Sequence, residues 1–149
     1  MTLLLDINVL LDVVLEREPW SEAASRLLSA IEAGKAEGFV AAHTLPTIFY
    51  VVAQIRDRAT ARVAVGDVLR IVDVVTVTKA DFQQALAMAI SDFEDAAQAT
   101  AAIKIGADYL VTRNEKDFQS ASVPTADPAT VLALLQAASP PQSLEQDPA

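Results

Sequence analysis

The sequence predicts an α/β fold built on a mainly parallel sheet with helices on both faces. Two observations carry this expectation. Short apolar or β-branched runs alternate along the chain with longer segments of helical periodicity, and the polar residues best suited to chemistry follow the apolar runs instead of interrupting them. The size agrees, since 149 residues with 52% hydrophobic content suffice for one core and one domain.

Leu3 to Asp6 is predicted as a buried strand and Val9 to Leu15 as the helix after it, with Asp6 and Asn8 at the junction. Pro19 and Trp20 end that unit. Ser21-Glu22 opens a second helix, in which Ala24, Leu27, Leu28 and Ile31 recur at helical spacing before Gly34 stops it. Gly38 to Ala42 is a second strand, His43 to Arg56 and Ala59 to Ile71 are helices, and Val74 to Val77 is a short β-branched strand. Thr78 with Asp81 caps the next helix, Phe82 to Ile90. Ser91 to Ile105 is alanine-rich, a strong helix former able to lie close on a sheet, and Gly106 ends it. Tyr109 to Val111 is a strand, Val123 to Thr125 an edge strand, and Pro128 to Ala137 a last helix with proline at its start. The sheet therefore has four or five strands. Residues 1–138 make up the domain, and 139–149, with Pro140, Pro141 and an acidic end, read as a disordered tail.

The composition narrows the chemistry. A net charge of -9 argues against gripping nucleic acid through a broad positive surface, although bound cations can still meet a phosphate locally. With no cysteine and a lone histidine, His43, thiolate and histidine-rich metal sites are excluded. Oxygen ligands remain, and these suit Mg2+ or Mn2+. The opening segment has no basic leader and is interrupted by Asp6 and Asp12, so the expected location is cytoplasmic. No apolar run approaches the roughly twenty residues of a membrane helix.

The candidate ligands are acids that a parallel sheet would gather at one rim. Asp6 follows a buried strand, where open α/β sheets place their ligands; its bland reading is a helix cap. Asp12 is expected to cap a turn and face water. Ser91 and Glu94 fit a capping box, which would occupy Glu94. Asp92 and Asp95, three apart, share a helix face that a cation can use, with Asp95 the preferred ligand. In Thr112-Arg113-Asn114-Glu115-Lys116-Asp117-Phe118, Asn114 or Asp117 can complete the site, Thr112 can bond a carboxylate from behind, and Arg113 or Lys116 can meet a phosphate. Phe118 is expected in the core. His43 is expected to be a locally hydrogen-bonded residue.

Taken together, the segments LLLDINVLLD and DFEDAAQATAAIKIGADYLVTRNEKDF resemble those of PIN domains, close to the VapC-like toxins, over nearly the whole chain up to the tail. The resemblance implies a three-layer α/β/α sandwich and a metal-dependent endoribonuclease acting on RNA, often a toxin held by a partner antitoxin. Asp6, Asp95 and the Asn114 or Asp117 position match the family's acidic positions, relatives commonly pair as homodimers, and with Asp92 added from the residue reading these side chains are expected to hold Mg2+ or Mn2+. One position departs from the family pattern. Where the family places a glutamate on the helix after the second strand, this chain has Thr47, and no acid lies between Glu37 and Asp57. The resemblance thus admits two outcomes, a rearranged site completed by Asp92 or a catalytically silent PIN-like binding module. A phosphatase using Asp6 as nucleophile is a third reading, weakened because Asn8 stands where haloacid-dehalogenase-like enzymes have a second aspartate.

Overall fold

Strand β1 (Thr2–Leu5) is the centre of the sheet, and its three leucines are wholly buried because helices cover both faces. The computed structural model describes residues 1–138. After β1 come α1 (Ile7–Val14), α2 (Ser21–Glu32), β2 (Glu37–Ala41), α3 (Thr44–Ile55), α4 (Arg58–Ile71), β3 (Asp73–Val75), α5 (Lys79–Ala87) and α6 (Phe93–Lys104). Strand β4 (Tyr109–Val111), a 3-10 turn (Glu115–Phe118), β5 (Thr125–Ala126) and α7 (Pro128–Ala138) complete it. The expected tail, 139–149, lies outside the described residues.

The sheet order is β3-β2-β1-β4-β5, and every pairing is parallel. Alternation along the strands divides the apolar residues into two layers. Leu3, Leu5, Val40 and Val111 join the core shared with α1, α2, α3, α4 and α7. Leu4, Ala41 and Leu110 face the opposite layer, where Ala97, Ala101 and Ala102 let the α6 backbone lie close on the sheet. This is the three-layer α/β/α arrangement expected. Positive φ at Gly34 (79°) and Gly106 (60°) ends α2 and α6 in the way those glycines predicted.

Several boundaries moved by one to three residues, among them the end of α5, at Ala87 instead of Ile90; two shifts have local reasons. Helix α5 begins one turn before Phe82, because the Thr78 hydroxyl accepts from the Asp81 N–H (3.3 Å) and the Asp81 carboxylate from the Thr78 N–H (2.8 Å), which starts the helix at Lys79. Lys104 at the far end of α6 then reaches the same Asp81 (2.9 Å) and the Thr76 carbonyl (2.8 Å), joining the two helices. The edge strand is Thr125–Ala126 instead of Val123 to Thr125; Val123 is buried beside Phe118 in the α6 layer. No helix of the described residues is long and apolar enough to cross a membrane.

Leu4 of the central strand is fully buried in the α6-side layer, so Leu4→Ala removes packed atoms from that layer. A loss of about 2–5 kcal/mol is expected, measured as a fall in the urea midpoint at unchanged m-value.

Candidate functional site at the sheet reversal

From β1 the chain builds the sheet outward through β2 and β3, then returns to the other side of β1 to add β4 and β5. The crevice between the C-terminal ends of β1 and β4 is therefore the point where strand order reverses, which is where such sheets bind ligands. The register Leu5↔Val111 sets Asp6 beside Thr112. Asp6 is 1% exposed. Its N–H continues the ladder to the Val111 carbonyl (3.0 Å), and its Oδ2 accepts from the Thr112 hydroxyl (2.9 Å). Its Oδ1 is buried with no hydrogen-bond partner.

Asp6 occupies the N-cap position of α1, yet its side chain caps nothing. Gln98 of α6, itself fully buried, does that work by accepting the Ile7 N–H through Oε1 (3.0 Å). Capping is therefore a minor part of what Asp6 does: no cap hydrogen bond is formed, although the Asn8 and Ile7 N–H groups still lie close enough to favour its charge. Burial raises the Asp6 pKa, while Thr112, Gln98 and the N–H groups of Asn8 and Ile7 act in the opposite direction. One carboxylate oxygen is thus held from behind and the other is left without a partner.

The second wall is the first turn of α6. The helix begins one residue later than the expected capping box requires: Asp92, not Ser91, is the N-cap, its Oδ1 accepting from the Asp95 N–H (2.9 Å). This shift moves Glu94 out of the capping role. Its Oε1 is buried without a hydrogen-bond partner, and its pKa is raised by burial and by the negative charges of Asp92 and Asp6. Glu94 therefore faces the other acids, contrary to the expectation that it points elsewhere.

Asp95, half-buried, has its pKa pushed up to about 7, first by burial and then by Asp92, Asp6, Asp117 and Glu94. Four negative side chains are thus within electrostatic reach of it. Asp117 contributes from the exposed 3-10 turn, whereas Asn114 is tied to the rim through its backbone N–H, which donates to the Thr112 hydroxyl (3.0 Å). The donor set, all oxygen with two acceptors lacking partners, suits a hard divalent cation. As the side chains stand, no group of three His, Asp or Glu among the described residues closes on one point. Cation binding would have to draw the carboxylates inward.

Thr47 adds no donor to this rim, because its hydroxyl bonds back to the His43 carbonyl of its own helix (3.2 Å). His43 is not the satisfied residue expected from sequence. Both ring nitrogens are buried and unpartnered, the ring meets Phe82 edge-on at 6.1 Å, and burial lowers its pKa, with the Glu94 backbone acting the other way.

Asp12 also departs from expectation. It is 2% exposed, accepts from Arg113 Nε (2.8 Å) and Nη2 (3.3 Å), and has Arg17 at 3.9 Å. Arg113 is therefore anchored inside the fold and is not a free arm for phosphate. Two bonds to Asp12 and the position of Trp20, whose ring centroid lies 3.8 Å from the guanidinium carbon, hold it there.

A parallel α/β/α domain with acids gathered at its reversal point is the class of protein defined here. The PIN domain family model matches residues 2–116, and the chain belongs to that family. Among solved structures, VapBC2 from Rickettsia felis, bound to a DNA fragment from its promoter, aligns with a TM-score of 0.70 at 16% identity, covering 85% of this chain and 98% of that one. VapBC-1 from nontypeable Haemophilus influenzae aligns at 0.64 and 15%, covering 86% and 98%. VapC20 from Mycobacterium tuberculosis, a Sarcin-Ricin loop cleaving toxin, aligns at 0.61 and 16%, covering 72% and 86%. At these identities the likeness speaks for the fold. No curated protein matches the chain.

Two outcomes follow from the electrostatics. An acid whose folded pKa is raised holds its proton more tightly in the folded state, so its contribution to stability declines as pH rises from the ordinary aspartate value of 3.8 through about 7. In chelator-treated protein, Asp95→Asn should raise Tm at pH 8, with the gain vanishing toward pH 4. Asp12→Ala, by contrast, strips the buried partner from Arg113 and should cost about 3 kcal/mol in chemical denaturation.

Proposed function

We propose that this protein is a metal-dependent endoribonuclease that hydrolyses RNA phosphodiesters, the toxin of a toxin-antitoxin pair. The observation that carries the reading is Asp6: a buried carboxylate at the sheet reversal, one oxygen unpartnered, with Glu94 and Asp95 within reach of its charge and Asp92 and Asp117 within reach of that of Asp95. Membership of the PIN family and the Sarcin-Ricin loop cleavage named for the VapC20 neighbour support it.

Asp6, Glu94, Asp95 and Asp117 would hold Mg2+ or Mn2+, with Asp92 adding charge from the helix cap. The bound metal supplies an acidified water and charge stabilisation at the phosphate. The protein's own groups do the positioning. Thr112 fixes the Asp6 carboxylate by donating to one oxygen, Gln98 ties α6 to the start of α1 by accepting the Ile7 N–H, and the Asp92 cap sets the first turn of α6. In this reading Glu94, on α6, supplies the carboxylate that Thr47 does not supply from α3.

A partner antitoxin fits the surface. An apolar cavity of about 430 Å3 between α1, α2 and α4, bordered by the exposed Val63, offers a helix or extended segment a place to bind. The reading in which the domain is a silent binding module rests on Thr47, and metal binding separates the two.

Purified protein with Mn2+ or Mg2+ should cleave single-stranded RNA, and Asp6→Asn or Asp95→Asn should lower the rate by about a hundredfold or more, on the scale of losing charge stabilisation of a transition state. Glu94→Gln should weaken Mn2+ binding in calorimetry, while Thr47→Val should not. Unchanged cleavage in the Asp6 and Asp95 variants would remove the assignment. Absence of Mn2+ binding at millimolar concentration would favour the silent module.

A further inference from the structure

The acids do not account for how an RNA strand stays on a surface of net charge -9, and the two flanks of the crevice bear on that question. On one flank Arg113 directly follows Thr112, the residue that holds Asp6, and its guanidinium lies 3.8 Å from the Trp20 ring centroid. Asp12 orients and neutralises that guanidinium through Nε and Nη2, so the pair is a rigid platform of little net charge. Trp20 remains 42% exposed and, with Pro19, Arg113, Asp127 and Pro128, lines a cavity of about 280 Å3. That is room for a planar heterocycle. On the other flank Phe93, between Asp92 and Glu94, is 46% exposed and leans on Phe82 at 5.8 Å. Of the three exposed aromatic residues among those described, Trp20, Tyr50 and Phe93, Trp20 is tied to the rim through Arg113 and Phe93 stands in the chain between Asp92 and Glu94.

We infer that the Trp20–Arg113 platform and its cavity form a stacking subsite for an unpaired nucleobase of the RNA strand beside the acidic crevice. Stacking on an aromatic face is tolerant of phosphate repulsion because the base, not the backbone, makes the contact, and an arginine in the same stack polarises it further. A base within a duplex has both faces covered and is refused. The inference rests on the ribonuclease reading for the identity of its ligand, but binding requires neither metal nor turnover.

Trp20 is the single tryptophan of the chain, so its fluorescence reports the subsite directly. Metal-free protein in about 0.3 M salt, where charge repulsion is screened, is titrated with an uncleavable 2′-O-methyl single-stranded oligonucleotide and with its duplex. Saturable quenching by the single strand alone is expected, and it should persist in Asp6→Asn. By anisotropy of a labelled strand, Trp20→Leu should weaken binding about tenfold, while Trp20→Phe, which keeps a ring, should retain most of it. No saturable quenching, equal quenching by duplex, or equal affinity of the Leu and Phe variants would overturn the subsite. Quenching without any metal-dependent cleavage would leave the subsite standing and remove the ribonuclease reading instead.

Discussion

A carboxylate sealed into the reversal point of a parallel sheet is the constraint on which the rest of this molecule depends. Burial of a charged group is costly unless it is hydrogen-bonded or meets an opposite charge. Asp6 has half of that provision from within the protein, in the Thr112 hydroxyl and the nearby N–H groups at the start of α1. The unpartnered Oδ1 is the other half. Everything around it keeps this imbalance in place: the β1–β4 pairing that aligns Leu5 with Val111, the Gln98 amide that occupies the Ile7 N–H, and the close-lying alanine face of α6.

Helix α6 works through the same residue from the opposite side. Its alanines bring it near enough to the sheet for Gln98 to reach the first turn of α1, and that approach carries the acids at its N-terminus to the crevice. Negative side chains are favourable at a helix N-terminus, so Asp92, Glu94 and Asp95 are tolerated by their own helix even as they repel one another. Burial first, and that repulsion second, push the Glu94 and Asp95 pKa values upward. A cation placed among them would relieve both effects at once.

The Asp12–Arg113–Trp20 assembly has the opposite character, since its charges are compensated within the protein. Arg113 lies in the loop after β4, and pinning it to α1 fixes the start of the polar turn that leads to Asn114 and Asp117. The same pin presents the tryptophan face beside the rim. In the stacking proposal, the structural anchor and the recognition surface are thereby one object, centred on an exposed tryptophan.

Much of this was legible in the residues themselves. Alternation of short apolar runs with helical periods determined a parallel α/β sheet, because a strand buried on both faces reads as continuous Leu-Leu-Leu and its crossover reads as a helix; the Thr78–Asp81 cap, the glycine stops and the core position of Phe118 were local and therefore readable. The three-dimensional structure decided what depended on distant partners. Asp12 became a buried anchor because Arg113, 101 positions away, arrives beside it. Glu94 was freed from the cap and left within reach of the Asp6 charge because Asp92 took the cap and delayed the helix start by one residue, a difference within the reach of several competing cap geometries. Sequence specifies which groups are costly to bury, and only the packed chain determines which of them meet a partner.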